Sequence, residues 1–236
     1  MYLVKNSFRN YLNVINLIVL PSVFFILNRG RAADDQATLL MISLPMILLA
    51  SVIFNFGGTI KSYREHGFFI KYKLLGMKPW EVTLGVFVYT LIIQLLSIFL
   101  MVVLGGVFFG VVIDLHFLYV LGLFIVMINL LQFSLVFLAT ALPVSSTNFT
   151  TISQILFFYQ LFLGLYLTDQ ILNNQLLAYF AALLNPVSSV FKVGASIFMN
   201  NQSLKDFPLE IISVLLLSSG FIYFGNKYFK WESTNK

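Results

Sequence analysis

Long stretches of this chain carry no charge and few polar side chains, and they return at short intervals along its length. A helix needs about 20 such residues to cross a hydrocarbon core about 30 Å thick. Six segments meet that demand: residues 11–27, 38–58, 81–113, 117–142, 151–168 and 209–229. Pro21 and Pro45 fall inside the first two and predict kinks there. Asp114 and His116 interrupt what would otherwise be one apolar tract, so two long helices joined by a tight turn are expected. A loop over 143–150 precedes the fifth span.

Residues 176–198 are apolar enough for a further crossing, but Asn185-Pro186 and two serines break them in the middle. Proline disfavours helical geometry in the residue before it. The favoured reading is two short helices that enter one face of the membrane and return, within a re-entrant cap over 169–208. Such a break is tolerated only where protein shields its backbone. The alternative is a seventh span with a proline kink.

The distribution of charge separates these two. With six spans, ten of the fourteen Lys and Arg residues lie on one side: Lys5, Arg9, Lys61, Arg64, Lys71, Lys73, Lys78, Lys227, Lys230 and Lys236. The bias toward cytoplasmic basic residues then places both termini in the cytoplasm. A seventh span would send the basic tail outside. At the N-terminus, Met1, Val4, Phe8 and Leu12 share one helical face, which predicts an interfacial helix over 1–10. No small-residue cleavage site follows the first apolar run, so an excised signal peptide is not expected.

Composition agrees: 59% of residues are hydrophobic and 10% charged, against about 25% charged in soluble domains. The fold class expected is an all-α polytopic membrane protein with a single transmembrane domain. No soluble catalytic domain of about 100 residues fits between the spans. The chain has no cysteine, and its two histidines, His66 and His116, stand too far apart to form a helical zinc pair. No nucleophile, base or metal cluster for an enzyme is present, and no metal site is expected. The net charge of +5 belongs to the inner membrane face, so no nucleic-acid partner is expected.

Within the spans stand the polar residues Asn13, Asn16, Asn55, Gln94, Asn129, Gln132, Gln154 and Gln160. They can make interhelical hydrogen bonds. The sharper reading has Asn55, Gln94, Asn129, Gln132, Gln154 and Gln160 lining a transit path for an amphipathic cargo. No charge lies between Val82 and Ile113 or between Phe117 and Thr168, whereas ion-coupled carriers place ionisable groups near the midplane. Gly106 and Gly110 form a small-residue pair open to close helix contact.

The connector 59–80 is the most informative segment. Arg64-Glu65-His66 is followed by Gly67, which can break a helix, then by an amphipathic piece with Phe68, Tyr72 and Leu75 on one face, Phe69 beside them and Lys71 and Lys78 facing elsewhere. Gly76 can stop this helix. Pro79 can start the next, since a proline at the first helical position loses no hydrogen bond. The segment reads either as a short helix held against the inner surface or as a snorkelling, lipid-anchored loop.

Glu65, Gly67, Phe68, Phe69, Lys71, Lys73, Leu74, Lys78, Pro79, Trp80, Leu84 and Gly85 stand in the order found after the second span of ABC-2 type permeases, the membrane subunits of type V ATP-binding-cassette exporters. The chain resembles that family over almost its whole length, including the Asn185-Pro186 pair before the last span. Gly76, where many members have Thr-Pro, and Val86, where a basic residue is common, depart from the pattern. The resemblance implies a coupling helix that docks on an ATPase, carried here by Arg64, Glu65, His66, Gly67, Phe68, Phe69, Tyr72 and Lys73. Apart from the resemblance, the Asn185-Pro186 break should make the cap pack over the outer ends of the spans, so these two residues are expected to form an external gate. No phosphate-binding loop occurs in the chain, so no cofactor is expected in it, and ATP and magnesium would belong to two copies of a separate ATPase subunit. A second permease copy, identical or similar, would complete the transporter. The short, Phe-rich, Cys-free chain is similar to Gram-positive permeases that export amphipathic peptides, including the phenol-soluble-modulin exporters; drug or lipid cargo is the other option. Outside the transport class, the alternative is a non-transporting membrane immunity or assembly factor.

Overall fold

The computed structural model describes residues 19, 23, 26, 33–142, 145–171, 185–229 and 231, and every regular element among them is helical. The expected interfacial helix over 1–10 lies outside the described residues, as do 172–184 of the cap and all but positions 19, 23 and 26 of the first span.

α1 (Ala33–Ala50) passes without a break into a π-helical segment (Ser51–Phe56) and then α2 (Gly57–Glu65). One rod therefore replaces the second span and the start of the connector. The expected end at residue 58 was set by the charges of Lys61 and Arg64. The helix continues past it because both charges find partners inside the protein, described below. Pro45 sits within α1 and is buried, and helical structure runs on either side of it.

Two glycine turns bound the next element. Gly67 adopts φ 70° and ends the rod; α3 (Phe68–Leu74) follows, and Gly76 at φ 76° closes it. Left-handed geometry at both positions costs little for glycine and more for any other residue. α4 (Pro79–Phe109) starts with proline in its first turn, and the Glu81 carboxylate accepts from the Lys78 amide at 2.8 Å. It stops at Phe109 because Gly110 turns left-handed, four residues before the end that hydropathy suggested. The Asp114 side chain accepts from the Phe117 amide at 2.7 Å and caps α5 (Leu115–Ala141), which makes the expected tight turn. α6 (Ser146–Ile171) begins inside the stretch read as a loop. α7 (Pro186–Asn200), a 3-10 turn (Leu204–Asp206) and α8 (Pro208–Tyr228) complete the chain.

Four described helices are long and apolar enough to cross a membrane: Ala37–Glu65, Pro79–Phe109, Leu115–Ala141 and Pro208–Tyr228. This fits a membrane-embedded protein. The α1–π–α2 rod is its centre, with Leu44, Ile47, Leu48, Leu49, Val52 and Phe56 completely shielded. α4 packs along one side of the rod, α5 along another, and α8 lies against the far side of α5. The outer faces of α4 (Ile92, Leu96, Phe99, Val107) and α8 (Ile212, Leu216, Tyr223) remain exposed and apolar. Surfaces of that length without charge are compatible with hydrocarbon.

α7 is about 22 Å long at 1.5 Å per residue, short of a full crossing. Phe198 stacks on His116 at the start of α5, with ring centres 6.1 Å apart. Further along, Phe191 lies 6.2 Å from Phe124, and Asn185 reaches the Gln160 carbonyl of α6 at 3.2 Å. α7 thus runs antiparallel to α5, from the middle of the bundle to the end opposite the connector. Close glycine contacts allow this: a Cβ on Gly194 would overlap the Phe124 ring, and one on Gly164 would press on Phe191 at 3.1 Å. The Lys192–Glu210 ion pair, 2.8 Å, ties α7 to the first turn of α8.

Candidate functional site: the connector junction and the polar layer

The connector is fastened through the last turns of α5. Carbonyl groups at a helix C-terminus lack intrahelical partners and carry partial negative charge. Lys61 Nζ donates to the Leu142 carbonyl at 2.6 Å, and Arg64 Nη1 donates to the Thr140 carbonyl. Three residues apart on α2, the two side chains share a face and are both buried. Lys61 also lies 5.5 Å from the centre of the Phe149 ring of α6, and the Arg64 guanidinium 4.9 Å from that of Phe229. Two further guanidinium nitrogens of Arg64, Nε and Nη2, are buried without a partner.

An aromatic cluster anchors α3 beside this junction. Phe69 is fully buried, with Phe229 at 5.4 Å, Trp231 at 6.2 Å and Tyr63 at 6.4 Å between ring centres. Tyr63 also meets Phe68 at 5.4 Å. The opposite side of α3 faces outward: Leu74 is 82% and Leu75 75% exposed, and Lys71 and Lys73 are exposed as well.

The residues expected to couple to an ATPase therefore fall into three groups. Arg64 and Phe69 are buried and hold the connector; Gly67, Phe68 and Tyr72 are half-buried; Glu65, His66 and Lys73 are exposed. His66 Nδ1 approaches the Ser62 carbonyl at 2.8 Å. Periodicity put Leu75 on the packing face with Phe68 and Tyr72, whereas the fold makes Phe69 the anchor and leaves Leu75 outside. In a helix of seven residues held by a glycine turn at each end, orientation follows from the partner rings rather than from helical spacing. Lys61, Phe149, Phe229 and Trp231 were not singled out in the sequence. The i, i+3 spacing of Lys61 and Arg64 is a signal that could have found Lys61; nothing comparable marks the three aromatic residues.

The polar residues of the spans divide similarly. Gln94 Nε2 donates to Ser51 Oγ at 2.7 Å and to the Leu48 carbonyl at 3.2 Å, and Asn129 Nδ2 donates to Gln94 Oε1 at 2.9 Å. These bonds join α4 and α5 to the start of the π segment, where the α-helical bonding pattern is disturbed. Gln132 is buried on α5 with neither amide atom bonded. Gln160 and Asn185 meet through the 3.2 Å bond already described. Asn55 is half-buried and Gln154 exposed, so neither joins a buried polar group. Pro186 starts α7, and its partner Asn185 is buried. Among the described residues no group of His, Cys, Asp and Glu could hold a metal ion. No family model, no curated protein and no solved structure matches the chain.

Proposed function

We propose that this chain is the membrane permease of an ATP-driven exporter that moves an amphipathic substrate and works with a separate ATPase subunit. The observation that carries this reading is α3. A short helix turns back between two membrane-crossing helices, pinned on one side by Phe69 and tethered through Lys61 and Arg64 to α5. Its other side offers Leu74, Leu75, Lys71 and Lys73 to a partner. A helix that transmits motion needs both features, a stiff attachment to the bundle and an exposed docking face. The finer reading has six spans, both termini cytoplasmic, a second permease copy in the complex and a re-entrant cap of which α7 is the second half.

Two measurements test it. With an ATPase subunit that co-purifies with this chain, changing Leu74 and Leu75 together to serine should lower permease-stimulated hydrolysis at least about tenfold. Thermal stability should hardly move, because exposed substitutions usually stay within about 0.5 kcal/mol. Normal hydrolysis in the variant would remove α3 from coupling. Single cysteines at Lys73 and Gln202, both exposed, should label from the cytoplasmic and the external side respectively. Labelling of both from one side would overturn the topology.

A further inference from the structure

Several buried polar groups occupy one level of the bundle. Gln94 stands fifteen residues from either end of α4, and Ser218 ten from either end of α8. Asn129 and Gln160 each lie fourteen residues from the start of their helices. Direct contacts fix the register. Gln94 bonds both Ser51 and Asn129. The Phe54–Phe157 ring pair, 5.4 Å, sets Ser51 level with Gln160, since each lies three residues from its ring on oppositely directed helices. Asn185 bonds the Gln160 backbone. A Cβ on Gly225 would touch Phe137, which sets Ser218, seven residues earlier on a parallel helix, beside residue 130.

This layer is only partly satisfied. Asn129 Oδ1, Gln132 Oε1 and Nε2, Gln160 Oε1, Asn185 Oδ1 and Ser218 Oγ are buried without a partner. Halfway along membrane-crossing helices, such groups are costly unless something bonds them. The open atoms are mostly acceptors, so the complementary ligand is a donor. Among the described residues no charged side chain lies at this level to pair with an ammonium ion, and an unpaired cation there is disfavoured. Neutral N–H and O–H groups are the donors that remain, and an amide brings with its N–H the carbonyl that the unbonded Gln132 Nε2 can serve. At the same level α7 begins, with Asn185 in the position that precedes the helix.

We infer that this mid-level layer is a binding station for solutes that present free amide N–H groups. The inference rests on the export reading and names the substrate chemistry of its path. Acceptors on α5, α6 and the start of α7 take the solute's N–H donors, and Gln132 Nε2 serves its carbonyl.

The test uses the purified full chain in lipid nanodiscs without any ATPase, so its result is independent of coupling. Two fluorescent probes are compared, a dansyl-labelled trileucine amide and its backbone N-methylated twin, which keeps the apolar surface but lacks the backbone donors. The twin should bind about tenfold more weakly, and Gln132→Met and Gln160→Met should each reduce that difference to less than about threefold. Gln132→Met should also raise the melting temperature of the empty protein, because it removes an unbonded buried amide. Equal binding of the twins, binding of neither, or undiminished discrimination in both variants would overturn the inference. A lower melting temperature in Gln132→Met would do the same, since it would make Gln132 a structural partner.

Discussion

Replacing Gly194 with valine is expected to detach α7 from the bundle. A side chain at this position would place its Cβ 2.1 Å from Phe124 Cζ and within 2.7 Å of two more ring atoms. The ring cannot retreat easily, because Phe124 is buried and has Phe191 beside it. Overpacking a close-packed site costs about 1–3 kcal/mol, and a branched residue against an immobile ring belongs at the upper end. The strain would also reach the Asn185 bond to Gln160 and the Lys192–Glu210 pair, the polar ties that hold α7 at its start and its middle. Thermal unfolding in nanodiscs should show a clear drop. A cysteine at Ser188, buried in the native fold, should become reactive to water-soluble maleimide. Adding Phe124→Ala should return much of the lost stability by making room. An unchanged melting temperature together with a silent Ser188 site would mean that α7 does not depend on this contact.

The second large effect is expected at the connector junction. Lys61→Met keeps most of the apolar stem but leaves the Leu142 carbonyl without its donor, and a hydrogen bond to a charged group contributes about 1.5–3 kcal/mol. Arg64 pulls in two directions. Its bond to Thr140 and its contact with Phe229 stabilise, while two unbonded buried nitrogens oppose. Arg64→Met alone should therefore cost less, about 1 kcal/mol, and the double variant about 3 kcal/mol. The loss should be local. With the rod untied from α5, α3 should separate more often from the aromatic cluster, and trypsin should cleave at Lys71 and Lys73 several-fold faster than in the parent. Cleavage at the parental rate in the double variant would show that Phe69 and its neighbouring rings hold the connector unaided.

Where both readings speak, they agree most closely at the turns. Gly67, Gly76, Pro79 and Asp114 each do what local chemistry demands, because left-handed geometry, a missing amide hydrogen and a side-chain cap act within a few residues. Apolar length likewise located the four described helices that are long enough to cross a membrane, since hydrocarbon thickness sets a requirement that composition alone can meet. The helix runs on past residue 58, where the apolar run ends, for a physical reason. Charge normally marks the water interface, but Lys61 and Arg64 each donate a hydrogen bond to a carbonyl at the end of α5, a helix that begins more than fifty residues later in the chain.

The polar layer shows the same division. Each of Gln94, Asn129, Gln132 and Gln160 is conspicuous in an apolar run, so their burial inside a bundle could be read directly from the sequence. Which of them would bond one another could not. Gln94 and Asn129 found each other through the register between α4 and α5, while Asn185 reaches only the backbone carbonyl of Gln160, because α7 starts halfway along α6. Gln154, six residues before Gln160 on the same helix, faces outward instead. By itself the sequence determined an all-helical membrane protein with its breaks, caps and intervening polar positions, because those follow from interactions within a single segment. Only the tertiary structure decided which charges are buried, that Phe69 rather than Leu75 anchors α3, and which amides remain without a partner, because those depend on the depth and rotation at which separate helices meet.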